Sequence, residues 1–252
     1  MRAAQRNGED VAGLTATRLT ALLTAFRPGD DMLGVSELSR RTGVPKSSVH
    51  RLVGHLVAQG LLDRENGAVR LGLKLFEIGQ LATQQRGLVD AARPYLADLR
   101  EATRNTVHLA VLEGTEVAYL DIVRGPDAPN LPSRIGGRFP AHATAVGKAI
   151  LAFSPDSVLE KVIATGLPRI GPRTITAPGL LRRSLAKVRA DGLAHDREES
   201  RVGVVCVASP LLDGDGRPRA GISISGWSNR VRPGRVAPAV RTTALTLSRT
   251  LS

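Results

Sequence analysis

The spacing of apolar residues changes once along this chain, and that change limits what it can fold into. Up to about residue 102 apolar side chains recur at helical intervals; from Thr106 onward they alternate, as half-buried strands do. Helices first and strands later describe an α+β chain in two parts, not a run of alternating strand–helix units. Leu19, Leu22, Leu23 and Phe26 fall at i, i+3, i+4, i+7. They predict a first helix with Thr17 as its cap, closed by Arg27-Pro28-Gly29-Asp30. The polar residues before it, 1–13, read as a loose tail. A short second helix fits 36–42, capped by Ser36 with Leu38 inward, and Gly43-Val44-Pro45 breaks the chain. Val49, Leu52, Val53, Leu56 and Val57 mark a third helix that stops at Gly60. Extended stretches at 61–64 and 68–71 flank Glu65-Asn66-Gly67, and Asn-Gly between such runs is a strong hairpin signal.

That order is the order of a winged helix-turn-helix. The third helix has an apolar face for packing, and Lys46, Ser47, Ser48, His50, Arg51, Gly54 and His55 on the other. Short hydrogen-bonding and cationic side chains near a helix N-terminus suit base edges and phosphate oxygens. Arg64 and Arg70 flank the hairpin tip and are within reach of a DNA backbone or minor groove. Any three-helix domain also shows water a polar face, so the pattern alone leaves both readings open.

Helical spacing continues from Gly72 to about Gln85, is interrupted at Gly87 and resumes over 88–102, with Pro94 marking a kink or a fresh start. Apolar residues on more than one side of that linker call for a further packing partner, and a symmetric second copy is the economical one. The alternating part then predicts strands at 107–112 and 116–123, a Gly/Pro-rich loop with at most one short strand over 125–140, helices at 141–153, 155–164 and 178–190, strands at 193–197, 202–209 and 219–226, and a closing helix at 234–251. The expected domains are a tail (1–13), a winged helix-turn-helix (14–72), a linker helix (73–87) and an antiparallel sheet with helices (88–252).

Composition narrows the function. No apolar run approaches the roughly 18 residues of a membrane span, and the polar N-terminus lacks the core of an export signal. With one cysteine, Cys206, no internal disulfide can form, and structural zinc sites built on two thiolates are excluded. A cytoplasmic protein with no membrane partner and no cofactor is expected. The 252 residues carry a net charge of +12, which invites a nucleic-acid partner. Yet residues 1–86 hold only +4 of it and residues 171–252 hold +8, from 14 Lys+Arg against 6 Asp+Glu. Aromatics at 3% disfavour a single-strand binder built on base stacking.

Several motifs carry a resemblance. Val35-Ser36-Glu37-Leu38-Ser39 leads through Gly43-Val44-Pro45-Lys46-Ser47-Ser48-Val49-His50-Arg51-Leu52 and Gly60-Leu61-Leu62 to Leu71-Gly72. Further on come Thr106-Val107-His108-Leu109-Ala110-Val111, His142-Ala143-Thr144-Ala145-Val146-Gly147-Lys148-Ala149, Asp196-Arg197-Glu198-Glu199, Val205-Cys206-Val207-Ala208-Ser209-Pro210 and Gly221-Ile222-Ser223-Ile224-Ser225-Gly226. In this order and spacing they resemble the IclR-type family of bacterial transcriptional regulators, from about Leu14 to the end. The resemblance implies a winged helix-turn-helix joined by a linker helix to a GAF-like effector-binding domain, in dimers that often pair into tetramers. It implies repression or activation of operons through double-stranded operator DNA, under control of a small organic or aromatic acid. Asp196, Cys206, Ser223 and Ser225 match residues that line the effector pocket of relatives; Thr144, Ala145 and Val146 match the segment whose backbone amides face the ligand.

The residues make chemical sense of that assignment. Ser223 and Ser225 alternate along a strand, so their hydroxyls share a face. Hydroxyls and free helix-start amides together can hold a carboxylate, and a thiol adds a small, weakly polar wall. Asp196 would repel a carboxylate unless it accepts a ligand hydroxyl or has a raised pKa. Read blandly, the serines are solvated, Cys206 is core and Asp196 caps a turn. Two departures stand out: many relatives have Glu where this chain has Asn105, which bears on a hydrogen bond near the pocket, and Gly-Tyr-Ala where it has Gly192-Leu193-Ala194 before His195. The competing reading is an enzyme with Cys206 or a serine as nucleophile and His108, His142 or His195 as base, although no Gly-x-Ser-x-Gly elbow is present. A zinc pocket of His195, Asp196 and Cys206 is a third.

Overall fold

The computed structural model describes residues 2–251, with side chains from residue 13 onward except 83 and 84. The chain divides between Thr83 and Gln84 into two compact units.

In the first unit, α1 (Arg2–Thr24) is followed by β1 (Leu33–Gly34), α2 (Val35–Thr42), α3 (Lys46–Ala58), β2 (Leu62–Glu65), β3 (Ala68–Leu71) and α4 (Leu73–Gln80). The expected start at Thr17 is replaced by a helix running from Arg2, through the segment expected as a tail. Thr17 is no cap because its hydroxyl donates back to the Gly13 carbonyl, 2.9 Å away, inside the helix. Nor does Ser36 cap α2: Gly34 holds the N-cap position, without a side-chain bond. Gly43 ends α2 in the left-handed region (φ 70°), which is why glycine stands there. Leu22, Leu38, Val49, Leu52, Val53, Leu56, Leu62 and Val69 make the core. Arg41 clasps the unit from outside that core, pairing with Asp30 and, at 2.6 Å, with Glu37. The hairpin turns on two residues, Asn66 (φ 49°) and Gly67 (φ 79°), both in the positive-φ region that a type I′ turn requires. β1 was not foreseen; two residues long, it pairs with β3 and completes a three-stranded sheet.

The second unit opens with α5 (Thr83–Thr103). The helical break expected at Gly87 falls instead at Leu81 and Ala82, whose amides turn back to the Ile78 and Gly79 carbonyls; Gly87 and Pro94 both lie inside α5. Then come β4 (Thr106–Glu113), β5 (Glu116–Val123), β6 (Arg138–Pro140), a 3₁₀ turn (Ala141–Ala143), α6 (Ala145–Leu151), α7 (Asp156–Ala164), α8 (Pro178–Asp191), β7 (Ala194–Arg197), β8 (Val204–Leu212), β9 (Pro218–Trp227) and α9 (Pro233–Thr250). The strands form one antiparallel sheet in the order β6-β5-β4-β9-β8-β7.

Alternation along the strands divides two cores. Val107, Leu109, Val205, Val207, Ile222 and Ile224 join α5 and α9 residues on one side. Ala110, Ala208 and Cys206 join α6 and α8 residues on the other. On that second side α6 lies close against β9: a Cβ on Gly221 would come within 2.9 Å of Val146. The single helix expected over 141–153 is broken at Thr144, which is extended (φ −124°, ψ 149°) and caps α6 by accepting the Gly147 amide at 3.0 Å.

Candidate functional site

Strand register assembles the principal site. Asp196 is paired with Cys206, and Cys206 with Ser225, so these three side chains form a row across β7, β8 and β9. In the next row of that face, Ser223 stands between Ala208 and His108. The start of α6 covers this face, and a cavity of about 50 Å³ lies between them. All seven residues expected at the pocket, Thr144, Ala145, Val146, Asp196, Cys206, Ser223 and Ser225, line it. Tyr119, Phe139, Ser200 and Arg201 line it without having been expected there, and so do Leu131, Pro132 and Ser133, from the Pro/Gly-rich loop 126–138 whose equivalent in relatives, by the family resemblance, varies with ligand. His108, considered only as a base, is also a wall; its position directly across from Ser223 follows from strand alternation.

Burial sets the electrostatics. The Asp196 carboxyl is pushed above its ordinary range by desolvation, opposed by donors from the Ser200 hydroxyl (2.5 Å) and the Glu199 amide (2.7 Å). Asp196 therefore both faces the cavity and caps the turn after β7; the two readings left open by the sequence are compatible. Desolvation drives the Cys206 thiol well above its normal value, with the Asp196 charge acting the same way. Its sulfur accepts the Ser225 hydroxyl at 3.0 Å. His108 is pushed down to about 3 by burial, with Arg124 adding to the effect, and its Nε2 lies 2.9 Å from the Ser133 hydroxyl. Its ring is tilted against Tyr119, centroids 5.2 Å apart. Arg201 is the only cation on the cavity wall among the described residues, and it donates to the Asn130 carbonyl at 2.8 Å.

Behind the cavity, Lys148 of α6 is buried and donates to Glu199 and to the His195 carbonyl (2.6 Å). Asn105 is absent from the pocket, contrary to the expected hydrogen bond there. It sits at the head of β4, its amide donating to the Thr103 carbonyl at 2.7 Å, because the chain turns there through Arg104 in the left-handed region (φ 57°). The zinc reading fails on strand geometry: His195 and Asp196 are neighbours on β7 and face opposite sides, and His195 lines a separate groove with Lys187 and Asp191.

In the first unit, α3 presents Lys46, Ser47, His50, Arg51 and His55 to solvent while Val49, Leu52, Val53 and Leu56 are buried; Ser48 is half-buried. Arg64 on the wing is exposed. Arg70 is exposed too, but its guanidinium is shared with Asp63 (3.4 Å) and Glu65 (3.7 Å). α4 buries none of its side chains: Leu73 is 68% exposed, Phe76 64% and Leu81, just beyond, 76%.

Residues 15–66 match the model of the IclR helix-turn-helix domain and residues 80–249 that of the bacterial transcriptional regulator IclR C-terminal domain. The chain is 33% identical to the HTH-type transcriptional regulator XynR of Escherichia coli over 240 residues, covering 93% of this chain and 95% of that protein. It is 32% identical to the transcriptional repressor IclR of the same bacterium, over 87% of this chain and 82% of the other. Among solved structures, an IclR homolog from Microbacterium hydrocarbonoxydans complexed with 4-hydroxybenzoate superposes with a TM-score of 0.86 at 29% identity, covering 94% of this chain and 98% of that one.

Proposed function

Because the chain belongs to the IclR family of bacterial transcriptional regulators, we propose that the ligand controlling its hold on DNA is a small aromatic carboxylic acid seated between Ser223, Ser225 and the start of α6. The protein is a transcriptional regulator with an N-terminal helix-turn-helix DNA-binding domain and a C-terminal effector domain. The observation that carries the ligand reading is the cavity itself: seven expected residues converge on it, with Tyr119, Phe139 and His108 supplying ring-shaped walls. The amides of Ala145 and Val146 open α6 and have no carbonyl behind them to bond. With the Ser223 and Ser225 hydroxyls they are suited to a carboxylate, and Arg201 brings its counter-charge. Asp196 is suited to a ligand hydroxyl. The ligand bound by the Microbacterium protein is of this class.

The cavity is small beside the roughly 150 Å³ hollow that admits benzene in a protein core, so a ring enters only if a wall moves. Loop 131–133 is that wall in this proposal. It is tied by side chains, through His108 and Arg124 to Ser133 and Arg201 to Asn130, whereas the other walls are strands, the start of α6 and the turn after β7, which Asp196 holds through Ser200 and the Glu199 amide.

The regulator reading also accounts for the thiol. A nucleophilic Cys206 needs a thiolate and a basic neighbour; burial pushes Cys206 up and His108 down, which keeps both neutral. This supports a binding pocket over a catalytic one.

On DNA, α3 enters the major groove with Lys46, Ser47, Ser48, His50, Arg51 and His55, and Arg64 reaches the backbone from the wing. The exposed apolar side chains of α4 are covered by a second copy, giving a dimer. Sedimentation velocity tests this: the wild type sediments as a dimer or larger, and Phe76→Glu shifts it toward monomer.

Calorimetric titration with 4-hydroxybenzoate, benzoate and an aliphatic acid, beside anisotropy on the promoter next to its own gene, tests the effector. An aromatic acid binds saturably and changes operator affinity, as linkage between two sites requires, and Ser223→Ala weakens it by about tenfold, the effect of one lost charge-assisted bond. Aromatic acids that fail to bind, or bind Ser223→Ala equally well, would refute the assignment.

A further inference from the structure

The charge excess of residues 171–252 is not explained by the helix-turn-helix, which lies elsewhere, nor by the cavity, whose wall carries a single arginine. Three of that segment's 14 basic residues gather at one place. An open groove of about 470 Å³ runs between the end of α5, the end of β9 and the start of α9, lined by Arg104, Arg230, Arg232, Arg235, Asn105 and Trp227 among others. Its volume is within the usual range for a small-molecule site. Asp127 is the one carboxylate on its wall, and Arg104 takes it in an ion pair of 2.9 Å. Arg230, Arg232 and Arg235 form no ion pair or side-chain hydrogen bond among the described residues, and all three are exposed.

The groove is built on a rigid floor. A Cβ on Gly226 would stand 2.1 Å from the Asn105 side-chain oxygen and 2.4 Å from Val231, so strand, turn and loop are in close contact there. Val231 is buried and its amide bonds the Trp227 carbonyl at 2.9 Å, which anchors the loop carrying Arg230 and Arg232. Trp227 is 41% exposed, an indole left at the groove wall. Asn105 is neutral, so no acid opposes the arginines from that part of the floor.

Three guanidinium groups without carboxylate partners among the described residues line one concavity, a concentration of positive charge that an anion would neutralise. Their planar forks match phosphate oxygens, two bonds at a time. We propose that this groove is a second ligand site, separate from the effector cavity, and that it takes a small multiply charged phosphate anion such as a metabolite diphosphate. Phosphate could equally come from the backbone of DNA; the groove's concavity and its indole wall favour the free anion, and the experiment separates the two.

Trp227 is the chain's only tryptophan, so its fluorescence reports this groove without interference. Full-length protein is titrated with inorganic pyrophosphate at constant ionic strength, then with a non-operator duplex. The expected result is a saturable change in tryptophan emission with pyrophosphate. Arg232→Gln/Arg235→Gln weakens it at least tenfold while operator affinity and melting temperature stay at wild-type values, and Asn105→Asp, which adds a negative charge at the floor, weakens it as well. A change no larger than salt-matched chloride produces, or one that both variants leave intact, overturns the proposal. So does a response to the duplex alone, which would assign the arginines to the DNA backbone. Aromatic acids are expected to leave this signal's pyrophosphate midpoint intact when Ser223→Ala is used, so failure of the effector reading and failure of this one are distinguishable.

Discussion

Lys148→Met tests the most consequential interaction in the second unit. The Lys148 side chain is 2% exposed and that of Glu199 9%, an ion pair almost fully withdrawn from water. Replacing the ammonium by a thioether of similar length leaves the Glu199 carboxylate buried with no cation. One of its oxygens already lacks a partner, and the His195 carbonyl loses its donor as well. Removing one member of such a pair costs about 3–5 kcal/mol, because the survivor's desolvation is no longer offset. For a unit of this size, where 1 kcal/mol moves the melting temperature by roughly 2–4 °C, the expected drop is about 6–20 °C. Burial raises the Glu199 pKa in the folded state, and losing Lys148 raises it further. A raised carboxyl pKa means that the folded state holds the proton more tightly, so the penalty is smallest below the unfolded carboxyl range and grows as pH rises through the folded value. Lys148→Met/Glu199→Leu removes both charges and is expected to regain most of the loss, since an apolar replacement of a buried pair is often neutral. Differential scanning calorimetry from pH 5 to 8 measures the wild type, Lys148→Met, Glu199→Leu and the double variant. If the single variant melts within 2 °C of wild type, or the double variant falls by the sum of the two single losses, the pair does not hold α6 to the turn after β7. Both elements are cavity walls, so effector affinity should fall with the single variant and return with the double.

The remaining predictions concern charge state and DNA. His108 titrates near 3 when folded and near 6.5 when unfolded, so its stabilising neutrality is complete above pH 6.5 and is lost as pH falls; at pH 5 the loss is about 2 kcal/mol at 1.36 kcal/mol per unit, and His108→Gln should flatten that part of a stability–pH curve measured by urea unfolding. Cys206, its thiol raised by burial, should react with iodoacetamide at pH 7.5 more slowly than free cysteine, and mass spectrometry that found rapid alkylation would reopen the nucleophile reading. Arg51→Ala should weaken operator binding by about 1–3 kcal/mol, the worth of one good base contact, without change in melting temperature. Arg70→Ala should cost less than Arg64→Ala in the same anisotropy assay, because Asp63 and Glu65 already draw on the Arg70 charge.

How much of this was legible in the sequence depends on whether a residue's position is set locally. The third helix and the wing were, because apolar spacing fixes one helix face and Asn66-Gly67 can satisfy only a tight positive-φ turn. The helix break in the linker was not: Gly87 looks like the weak point, yet a helix tolerates one glycine at a cost of about 1 kcal/mol, and the chain parts at Leu81 and Ala82, where no residue type announces it. The split at Thr144 was hidden for a related reason, since 141–153 is uniformly helix-compatible and only the contact of Gly147 with the Ala141 carbonyl, 2.1 Å from where a Cβ would stand, explains the turn.

The same distinction runs through the cavity. Ser223 and Ser225 were readable as sharing a face because a strand has a period of two; Cys206 and Asp196 came from the family resemblance, and only the antiparallel register of β7, β8 and β9 shows why they join that face. His108 obeys that rule too, and parity would have placed it across from Ser223 had register been considered. Ser133 obeys no such rule: it reaches the cavity from a Pro/Gly-rich loop tied by Arg124, at the loop's own start, and by His108 on β4. Periodic walls are therefore the part of the pocket that sequence specifies, and the aperiodic wall is the part that differences in ligand size must act on. A strand wall cannot yield without breaking a ladder of backbone bonds and flipping residues between two cores, whereas loop 131–133 yields by releasing a few side-chain bonds. If the effector is the aromatic acid proposed above, selectivity among acids of different length is expected to follow from that asymmetry and to be set by the loop, with the carboxylate held by groups on the strands and on α6.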